Sequence, residues 1–295
     1  MLLSKKQFDL LALLERRKGP FTQRELAKAL GFSLGTVNQT AAALGQRGLL
    51  RDGRITEAGL AALEPYRVKR ALILAAGFGS RLVPVTLTTP KPLVTIHGRR
   101  IIDSLLDALL DAGIREIHMV RGYLAGQFDQ LLEKYPMIHF LDNPAYNETN
   151  NISSAMCVRS WMENAYLCDA DLLIHDPGII TRYQYQTNYI GIPVGQTDDW
   201  CLSVKNGLVT GMQLGSSGGY LMHDITYWDA KDGAQLARDV AALYEMPGGS
   251  QRFWDEAPLG HFRANYRIAV RPCAPGSVTE IDTYRELQAL DSSYK

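Results

Sequence analysis

The order of apolar and polar positions predicts an α/β fold beyond residue 70. Residues 71–76 are continuously apolar over the length of one strand, which is typical of a parallel strand covered on both faces. Residues 101–114 carry apolar side chains at helical spacing, and the runs at 116–120 and 137–143 predict further strands. Because strands that alternate with helices form βαβ units, we expect a Rossmann-like domain with a mostly parallel mixed sheet.

The first part of the chain follows a different pattern, with several short amphipathic helices. Thr22 and Glu25 form a capping-box sequence that predicts the start of a helix at the residue after Thr22. Gly31 is placed to end that helix, and Ser33 is placed to cap the next one. The pattern therefore predicts two helices joined by a tight turn.

A predicted hairpin follows these helices, with Asp52-Gly53 as its turn. The order of helices and hairpin resembles the winged helix-turn-helix domains of bacterial regulators. We expect a winged-helix domain at residues 1–67 and a second domain at residues 68–295. The resemblance implies that the second helix of the turn reads DNA through four polar side chains: Ser33, Thr36, Asn38 and Gln39.

Charge divides the chain near the same place. Residues 1–70 contain 13 Lys and Arg against 6 Asp and Glu, whereas the rest of the chain contains 18 against 25. A basic surplus favours contact with the phosphates of DNA. Winged helices also form dimers and dock other proteins, so DNA and a homodimer both stay open as partners of residues 1–67.

The strand at residues 71–76 runs into the stretch GFGSRLVPVTLTTPKPL, whose glycines and cations favour a phosphate site. Gly77 and Gly79 permit positive φ angles, and successive N–H groups in such a loop bind anions. Arg81 adds a forked cation, and Lys91 stands between two prolines in a segment that we expect to be extended. The spacing matches neither GxGxxG nor GxxxxGK[ST].

The whole string LAAGFGSR…PKPL resembles the nucleotidyltransferase signature LAAGxGxR…PKxL. Members of that family join a nucleoside triphosphate to a phosphomonoester. The resemblance implies that Arg81 and Lys91 act on the phosphates as catalytic residues. Loops at the carboxyl ends of the strands complete the expected nucleotide-binding set: Leu74, Ala75, Ala76, Gly77, Gly79, Ser80, Arg81, Gly122, Tyr123, Asn151, Ser153 and Asp169.

Two aspartates in the segment AYLCDADLLI favour a divalent cation. We expect Asp169 and Asp171 to lie on one face of a strand, where their charges repel unless a cation joins them. Hard oxygen ligands beside a polyphosphate indicate Mg²⁺ as the cofactor. The resemblance places a third metal ligand in the late segment SVTEIDTYREL, at Asp282. Asp282 is also placed to be the N-cap of the last helix.

Tryptophans and carboxylates are adjacent three times in the second half of the chain. Aromatic faces with carboxylates suit a quaternary ammonium, which offers no hydrogen-bond donors. The segments YNETNNISSA, YLCDADLLI, TDDWCLSV, HDITYWDAKD, RFWDEAPL and VTEIDTYREL are together similar to bacterial CTP:phosphocholine cytidylyltransferases. Each tryptophan can also be explained as ordinary core packing. The resemblance implies a phosphocholine site shaped by six side chains: Trp200, Tyr227, Trp228, Trp254, Asp255 and Glu256.

The expected reaction is Mg²⁺-dependent transfer of the cytidylyl group from CTP to phosphocholine, which gives CDP-choline and pyrophosphate. Two alternatives stay open: a sugar-1-phosphate nucleotidyltransferase, and a ligand-sensing DNA-binding regulator with a nucleotidyltransferase-like domain. The chain has no apolar run of transmembrane length and no signal-peptide pattern, so we expect a cytoplasmic protein without membrane insertion. Its four cysteines are far apart, and we expect free thiols.

Overall fold

The structure is a computed structural model that describes residues 2–17 and 21–295. Contacts within the chain divide it into two compact units, each with its own core. The first unit is Met1–Arg67 with Tyr183–Tyr185, and the second is Val68–Arg182 with Gln186–Lys295.

The segment Tyr183–Tyr185 belongs to the first unit although it lies outside the predicted domain 1–67. Tyr185 stacks on Tyr66, with the ring centroids 5.6 Å apart. The Tyr183 hydroxyl donates a hydrogen bond to the Glu64 carboxylate at 3.0 Å. The sequence did not predict this, because the partners are more than 100 positions apart in the chain.

The first unit is a helical module with a short hairpin, as the winged-helix pattern predicts. The predicted caps are confirmed: Thr22 and Glu25 form a capping box, Gly31 ends its helix with φ 65°, and Ser33 caps the next helix. The elements of the unit are α1 (Lys5–Arg16), α2 (Gln23–Leu30), α3 (Leu34–Gln46), β1 (Leu50–Arg51), β2 (Arg54–Ile55) and α4 (Glu57–Leu63).

The second unit contains the remaining strands and helices. No helix among the described residues has both the length and the apolar character needed to cross a membrane. In chain order the elements are β3 (Arg70–Ala75), β4 (Thr95–Ile96), β5 (Arg99–Arg100), α5 (Ile101–Asp111), β6 (Glu116–Arg121), β7 (Ile138–Asp142), α6 (Ile152–Val158), β8 (Ala165–Asp169), β9 (Leu172–Ile174), β10 (Asn188–Pro193), β11 (Thr197–Lys205), β12 (Leu208–Ser216), β13 (Tyr220–Trp228), α7 (Ala230–Tyr244), β14 (Ala269–Pro272), β15 (Val278–Glu280) and α8 (Tyr284–Leu290).

A nine-stranded mixed sheet in the order β10-β14-β12-β11-β13-β8-β3-β6-β7 organises the second unit. Strands β8, β3, β6 and β7 are parallel neighbours, and β10 is parallel to β14, whereas the other neighbours in this order are antiparallel. The α/β class is therefore confirmed, but parallel pairing is less general than the helix–strand alternation predicted. Because β10 also pairs with β13, five strands close on themselves.

Hydrophobic cores cover both faces of this sheet. Helix α5 packs on one face, and helices α6 and α7 pack on the other. The central strand β3 is buried from Ala71 to Ala75, which explains its continuous apolar sequence. The loops after β3, β6 and β8 leave the parallel part of the sheet at the same edge, where ligands bind in open α/β folds.

Candidate active site

The glycine loop after β3 packs closely against Lys91. Gly79 has φ 62°, in the left-handed region, whereas Gly77 has no positive φ, so the expectation of positive φ holds for Gly79 alone. A Cβ atom at Gly79 would lie 2.9 Å from the Cβ atom of Lys91. Glycine is therefore needed here for both its backbone conformation and its lack of a side chain.

The loop forms one wall of a cavity of about 370 Å³ at the carboxyl ends of β3 and β8. Gly122 and Tyr123, which we expected in the nucleotide site, do not line this cavity. They lie just behind it, and the Tyr123 N–H donates to the carbonyl oxygen of Ala76. The other predicted nucleotide-binding residues do line it: Leu74, Ala75, Ala76, Gly77, Gly79, Ser80, Arg81, Asn151, Ser153 and Asp169.

A hydrogen-bonded polar wall faces the glycine loop. The Asn143 side-chain amide donates to the Ser153 hydroxyl at 2.8 Å, and the Thr149 hydroxyl donates to the same oxygen at 2.6 Å. The Asn151 side-chain oxygen accepts a hydrogen bond from the Trp254 main chain. These bonds fix the predicted residues Asn151 and Ser153 in place before any ligand binds.

Lys91 lies on a 3₁₀ turn, Lys91–Leu93, and not in the extended segment that its flanking prolines predicted. Its side chain is buried, with Nζ 2.6 Å from Asp171 Oδ2 and 3.1 Å from Asp282 Oδ1. Burial opposes the charged form, but the two carboxylates outweigh it and raise the pKa of the Lys91 ammonium. Lys91 is therefore a fixed positive charge on the cavity wall.

Arg81 is the second cation of the cavity and is more exposed. Its Nη2 atom lies 2.6 Å from Asp282 Oδ1, the same oxygen that Lys91 approaches. The two predicted catalytic cations are thus brought together by one carboxylate. Because two-thirds of the Arg81 side chain is exposed, this contact contributes little to stability.

Three carboxylates lie close enough to share one cation: Asp171, Glu280 and Asp282. One oxygen of each lies within 4.8 Å of the others. Asp171 Oδ1 is shielded from solvent and has no hydrogen-bond partner among the described residues. This set of hard oxygen ligands fits a divalent cation such as Mg²⁺. The sequence analysis predicted Asp171 and Asp282 but missed Glu280.

Asp169 was predicted as a metal ligand on the same strand face as Asp171. The structure corrects this geometry, because β8 ends at Asp169 and the strand rule does not extend to Asp171. Asp169 lines the cavity beside the three-carboxylate group. The alternative role of Asp282 as the last N-cap is wrong, because Thr283 caps helix α8 in a capping box with Glu286.

Two further carboxylates, those of Asp224 and Asp255, act on Asp169 or on each other. Burial and the negative charges of Asp255 and Asp169 raise the pKa of Asp224 well above its ordinary value. Burial and the charges of Asp171 and Asp255 raise the pKa of Asp169 in the same way. No lysine or arginine forms an ion pair with Asp224 or Asp255 in the described part of the chain. Asp224 and Asp255 therefore have no basic partner among the described residues, whereas Lys91 acts on Asp169.

Asp255, a predicted acceptor residue, is buried and accepts a hydrogen bond from the Tyr189 hydroxyl at 2.6 Å. Burial raises the pKa of Asp255 to about 7, although the Tyr189 hydrogen bond opposes the increase. Tyr189 and Asp224 were missed by the sequence analysis. The sequence did offer a signal for Asp224, because it is a charged residue inside the largely apolar strand segment YLMHDITYW.

This carboxyl group makes the stability of the protein depend on pH. The pKa of Asp255 is 3.8 ordinarily and about 7 in the fold, so the folded chain holds this proton more tightly than the unfolded chain. We expect the free energy of unfolding to decrease as pH rises from about 4 to about 7, by up to about 4 kcal/mol. Urea denaturation at several pH values measures this change in the free energy of unfolding. In Asp255→Asn the decrease becomes smaller, and an unchanged decrease would contradict the assignment.

The predicted aromatic acceptor residues do not form one pocket. Tyr227 and Trp228 are neighbours on β13 and point to opposite faces. Tyr227 packs with Tyr166 in one core, whereas Trp228 lies in the other core. Trp228 and Trp254 are fully buried in contact with each other. These three side chains pack in the hydrophobic cores, and their predicted role in shaping the phosphocholine site stays a prediction.

The remaining predicted acceptor residues are more accessible. Trp200 is partly buried on β11 and contacts the exposed Phe253, with ring centroids 6.1 Å apart. Glu256 forms an ion pair with Arg252 at 2.6 Å and accepts a hydrogen bond from the Phe253 main chain. Trp200 and Phe253 therefore form an aromatic pair whose rings keep accessible surface.

The glycine loop, the two cations and the hard oxygen ligands at one edge of the sheet are the arrangement expected of a nucleotidyltransferase. The family model described as Nucleotidyl transferase matches residues 70–172, and the MarR family model matches residues 3–55. The solved structure of the CTP:phosphocholine cytidylyltransferase from Streptococcus pneumoniae has a TM-score of 0.71 and 28% identity. It is matched over 78% of this chain and 100% of that chain.

Curated relatives refine this class. A 2-aminoethylphosphonate cytidylyltransferase of Lancefieldella rimae is 36% identical over 228 residues, which cover 76% of this chain and 92% of that protein. A choline-phosphate cytidylyltransferase of Streptococcus pneumoniae is 27% identical over 227 residues, which cover 77% of this chain and 98% of that protein. The chain belongs to the nucleotidyl transferase family, and within it to the cytidylyltransferases, with an N-terminal MarR-type winged helix.

Proposed function

We propose that the chain transfers the CMP group of CTP to a short acceptor with a phosphonate or phosphate at one end and a primary ammonium at the other. The proposal depends on one observation: the cavity beside the glycine loop adjoins Asp224 and Asp255, which form no ion pair with a basic side chain among the described residues. The loop amides, Arg81 and Lys91 suit a triphosphate. Asp224 and Asp255 suit an ammonium group, which compensates their charge.

2-Aminoethylphosphonate is the first candidate acceptor. A primary ammonium donates three hydrogen bonds, and carboxylates accept such bonds strongly. The relative that acts on this compound is covered over 92% of its length. The fully buried positions of Trp228 and Trp254 leave fewer aromatic faces than the sequence predicted for a trimethylammonium group.

Phosphocholine, the acceptor that the sequence resemblance implied, is the second candidate. The contact of Trp200 with Phe253 supports it, because both rings keep accessible surface that a quaternary ammonium can use. The pneumococcal choline-phosphate cytidylyltransferase is also similar to this chain in sequence and structure. Comparing the two acceptors in one assay decides between them.

Mg²⁺ is the proposed cofactor, held by Asp171, Glu280 and Asp282. The orphaned Asp171 Oδ1 and the purely oxygen donor set support this choice. When bound, the ion would neutralise phosphate charge and orient the triphosphate. Asp169, which we also predicted as a ligand, lines the adjacent cavity wall and would complete the set from there.

The proposed reaction needs little acid–base chemistry from the chain. An oxygen of the acceptor phosphonate or phosphate attacks the α-phosphorus of CTP, and the bond to the β-phosphate oxygen breaks to release pyrophosphate. The acceptor is already anionic near neutral pH. Lys91 and Arg81 then act by positioning the phosphates and neutralising their charge.

Pyrophosphate release tests the proposal directly. The full chain is incubated with Mg²⁺ and each of CTP, UTP, GTP, ATP and dTTP, with 2-aminoethylphosphonate, phosphocholine or glucose 1-phosphate as acceptor. We expect release with CTP and 2-aminoethylphosphonate, and slower release with phosphocholine. Release with glucose 1-phosphate alone would favour the sugar alternative. No release with any pair, together with tight DNA binding, would favour the regulator alternative.

Gly122 is proposed to support the nucleotide site through its neighbours. A Cβ atom at Gly122 would lie 2.6 Å from the Cβ and Cγ atoms of Tyr146 and 2.9 Å from the Ala76 carbonyl oxygen, and both residues line the cavity. Because overpacking typically costs about 1–3 kcal/mol, we expect Gly122→Ala to weaken CTP binding on the order of 10-fold. Calorimetric titration measures it. Gly126→Ala, whose Cβ would meet nothing within 4 Å, is the control and should bind CTP normally.

DNA binding is the function proposed for residues 1–67, as a domain separate from residues 68–295. The MarR family match and the basic surplus of this part of the chain support it. In helix α3, Asn38 and Gln39 are exposed, whereas Ser33 is engaged in capping Thr36. Anisotropy with duplex DNA at increasing salt tests this, and binding that weakens steeply with salt is expected. Absence of binding at low salt would favour dimerisation or protein docking.

A further inference from the structure

Asp224 lies beside an irregularity in strand β13, and the pairing of β13 with β8 places it at the active edge of the sheet. On the β10 side, Tyr189 is opposite Thr226 but the next residue, Ile190, is opposite His223, so two residues of β13 are extra. Such bulges often redirect side chains next to active sites. On the other side, Ile225 pairs with Cys168 of β8. Continuing that antiparallel register by one residue brings Asp224 opposite Asp169.

Asp224 has no partner that would explain its position as structural. Its Oδ1 atom is shielded from solvent and accepts no hydrogen bond within the described residues. The charges with the largest effect on it are the carboxylates of Asp255, Asp169 and Glu280, all of the same sign. A charged carboxylate in this environment is costly unless it is protonated or a cation compensates it, so the site favours a cationic ligand.

A second buried group next to Asp224 also has unused hydrogen-bonding capacity. His223 is 4% exposed, and neither ring nitrogen has a hydrogen-bond partner among the described residues. Its Nδ1 atom is 3.8 Å from Glu280 Oε2, so the ring faces the Glu280 carboxylate. A buried imidazole without a hydrogen bond, close to a carboxylate, is consistent with a polar site that a ligand completes.

We propose that Asp224 receives the primary ammonium of the acceptor and makes the enzyme prefer a primary amine to a trimethylammonium group. This rests on the proposed function. A primary ammonium can donate a charge-assisted hydrogen bond to Asp224 while a second donor reaches Asp255. A trimethylammonium group has no donor, so it would leave the Asp224 Oδ1 atom without a hydrogen bond at added cost. Asp224 is thus a determinant of acceptor specificity.

The test compares acceptors in Asp224→Asn of the full chain, which removes the charge and keeps the shape. We expect kcat/KM for 2-aminoethylphosphonate to fall about 10- to 100-fold, mainly through KM, as for loss of a charged hydrogen bond. The KM for CTP should stay unchanged, and kcat/KM for phosphocholine should change less than threefold. Asp198→Asn, which removes one exposed carboxylate from β11, should leave all three values unchanged.

The outcomes separate this inference from the proposed function. If the wild-type chain uses 2-aminoethylphosphonate but Asp224→Asn uses it equally well, the role of Asp224 is overturned and the proposed function stands. If the variant loses both acceptors equally, selection of the primary amine is overturned. A wild-type chain that accepts neither amine overturns both. Should Asp224→Asn fail to show the CTP-induced thermal shift of a folded protein, Asp224→Ser removes the same charge and must show the same selective loss.

Discussion

Replacing Lys91 with alanine is expected to lower kcat about 10²- to 10³-fold, the size typical for loss of one preorganised charge-stabilising donor. Lys91 is buried on the cavity wall beside Asp171 and Asp282 and packs against Gly79 of the glycine loop. Its ammonium therefore has little freedom before substrate binds, and its full charge acts on the phosphates. Steady-state pyrophosphate release at saturating CTP measures the change in kcat.

Two variants separate charge from position in this experiment. Lys91→Arg keeps the charge but changes its shape, so we expect part of the activity to remain. Lys69→Ala removes an exposed lysine from the same unit and should have no effect. Thermal unfolding must accompany each assay, because Asp171 and Asp282 lose their buried partner in Lys91→Ala. A folded Lys91→Ala protein with near-normal turnover would remove Lys91 from the phosphate site.

The parts of this molecule that the sequence predicted well depend on residues close together in the chain. The capping box of Thr22 with Glu25 spans one helical turn, and its geometry follows from those two side chains alone. The glycine loop likewise follows directly from the buried strand β3, so its place at the edge of the sheet could be predicted. Local rules are sufficient for such features.

The acidic residues show why the rest could not be predicted. Glu280 joins Asp171 and Asp282 only because β15 pairs with β9, across more than 100 residues of chain. Asp224 reaches the site only because β13 pairs with β8, more than 50 positions earlier in the chain. Lys91 was predicted to contact phosphates, but its pairing with two carboxylates depends on the same long-range assembly. The spacing of these residues in the sequence indicated which chemistry they can support. It did not show which residues they contact in the fold.

The tryptophans show most clearly how the sequence and the structure differ. Their position beside carboxylates in the sequence indicated a ligand site, whereas the burial of Trp228 and Trp254 indicates core packing. Trp228 is fully buried, with Tyr266, Tyr189 and Trp254 rings at centroid distances of 5.7, 6.0 and 6.1 Å. Its indole N–H donates to the Thr226 hydroxyl at 2.8 Å, so its polar atom is already satisfied. Nothing in this arrangement leaves a ring face for an acceptor.

Trp228→Ala is therefore expected to lower the free energy of unfolding by about 3–5 kcal/mol, as large-to-small changes of a core aromatic residue do. Urea denaturation measures the loss as a lower midpoint at unchanged slope. Trp200→Ala, at a partly exposed position, should cost about 1 kcal/mol or less and change mainly the KM for phosphocholine. If Trp228→Ala instead unfolds at the wild-type midpoint and loses acceptor affinity, Trp228 belongs to the binding site. The core assignment would then fail, because a fully packed indole cannot be removed without an energetic cost.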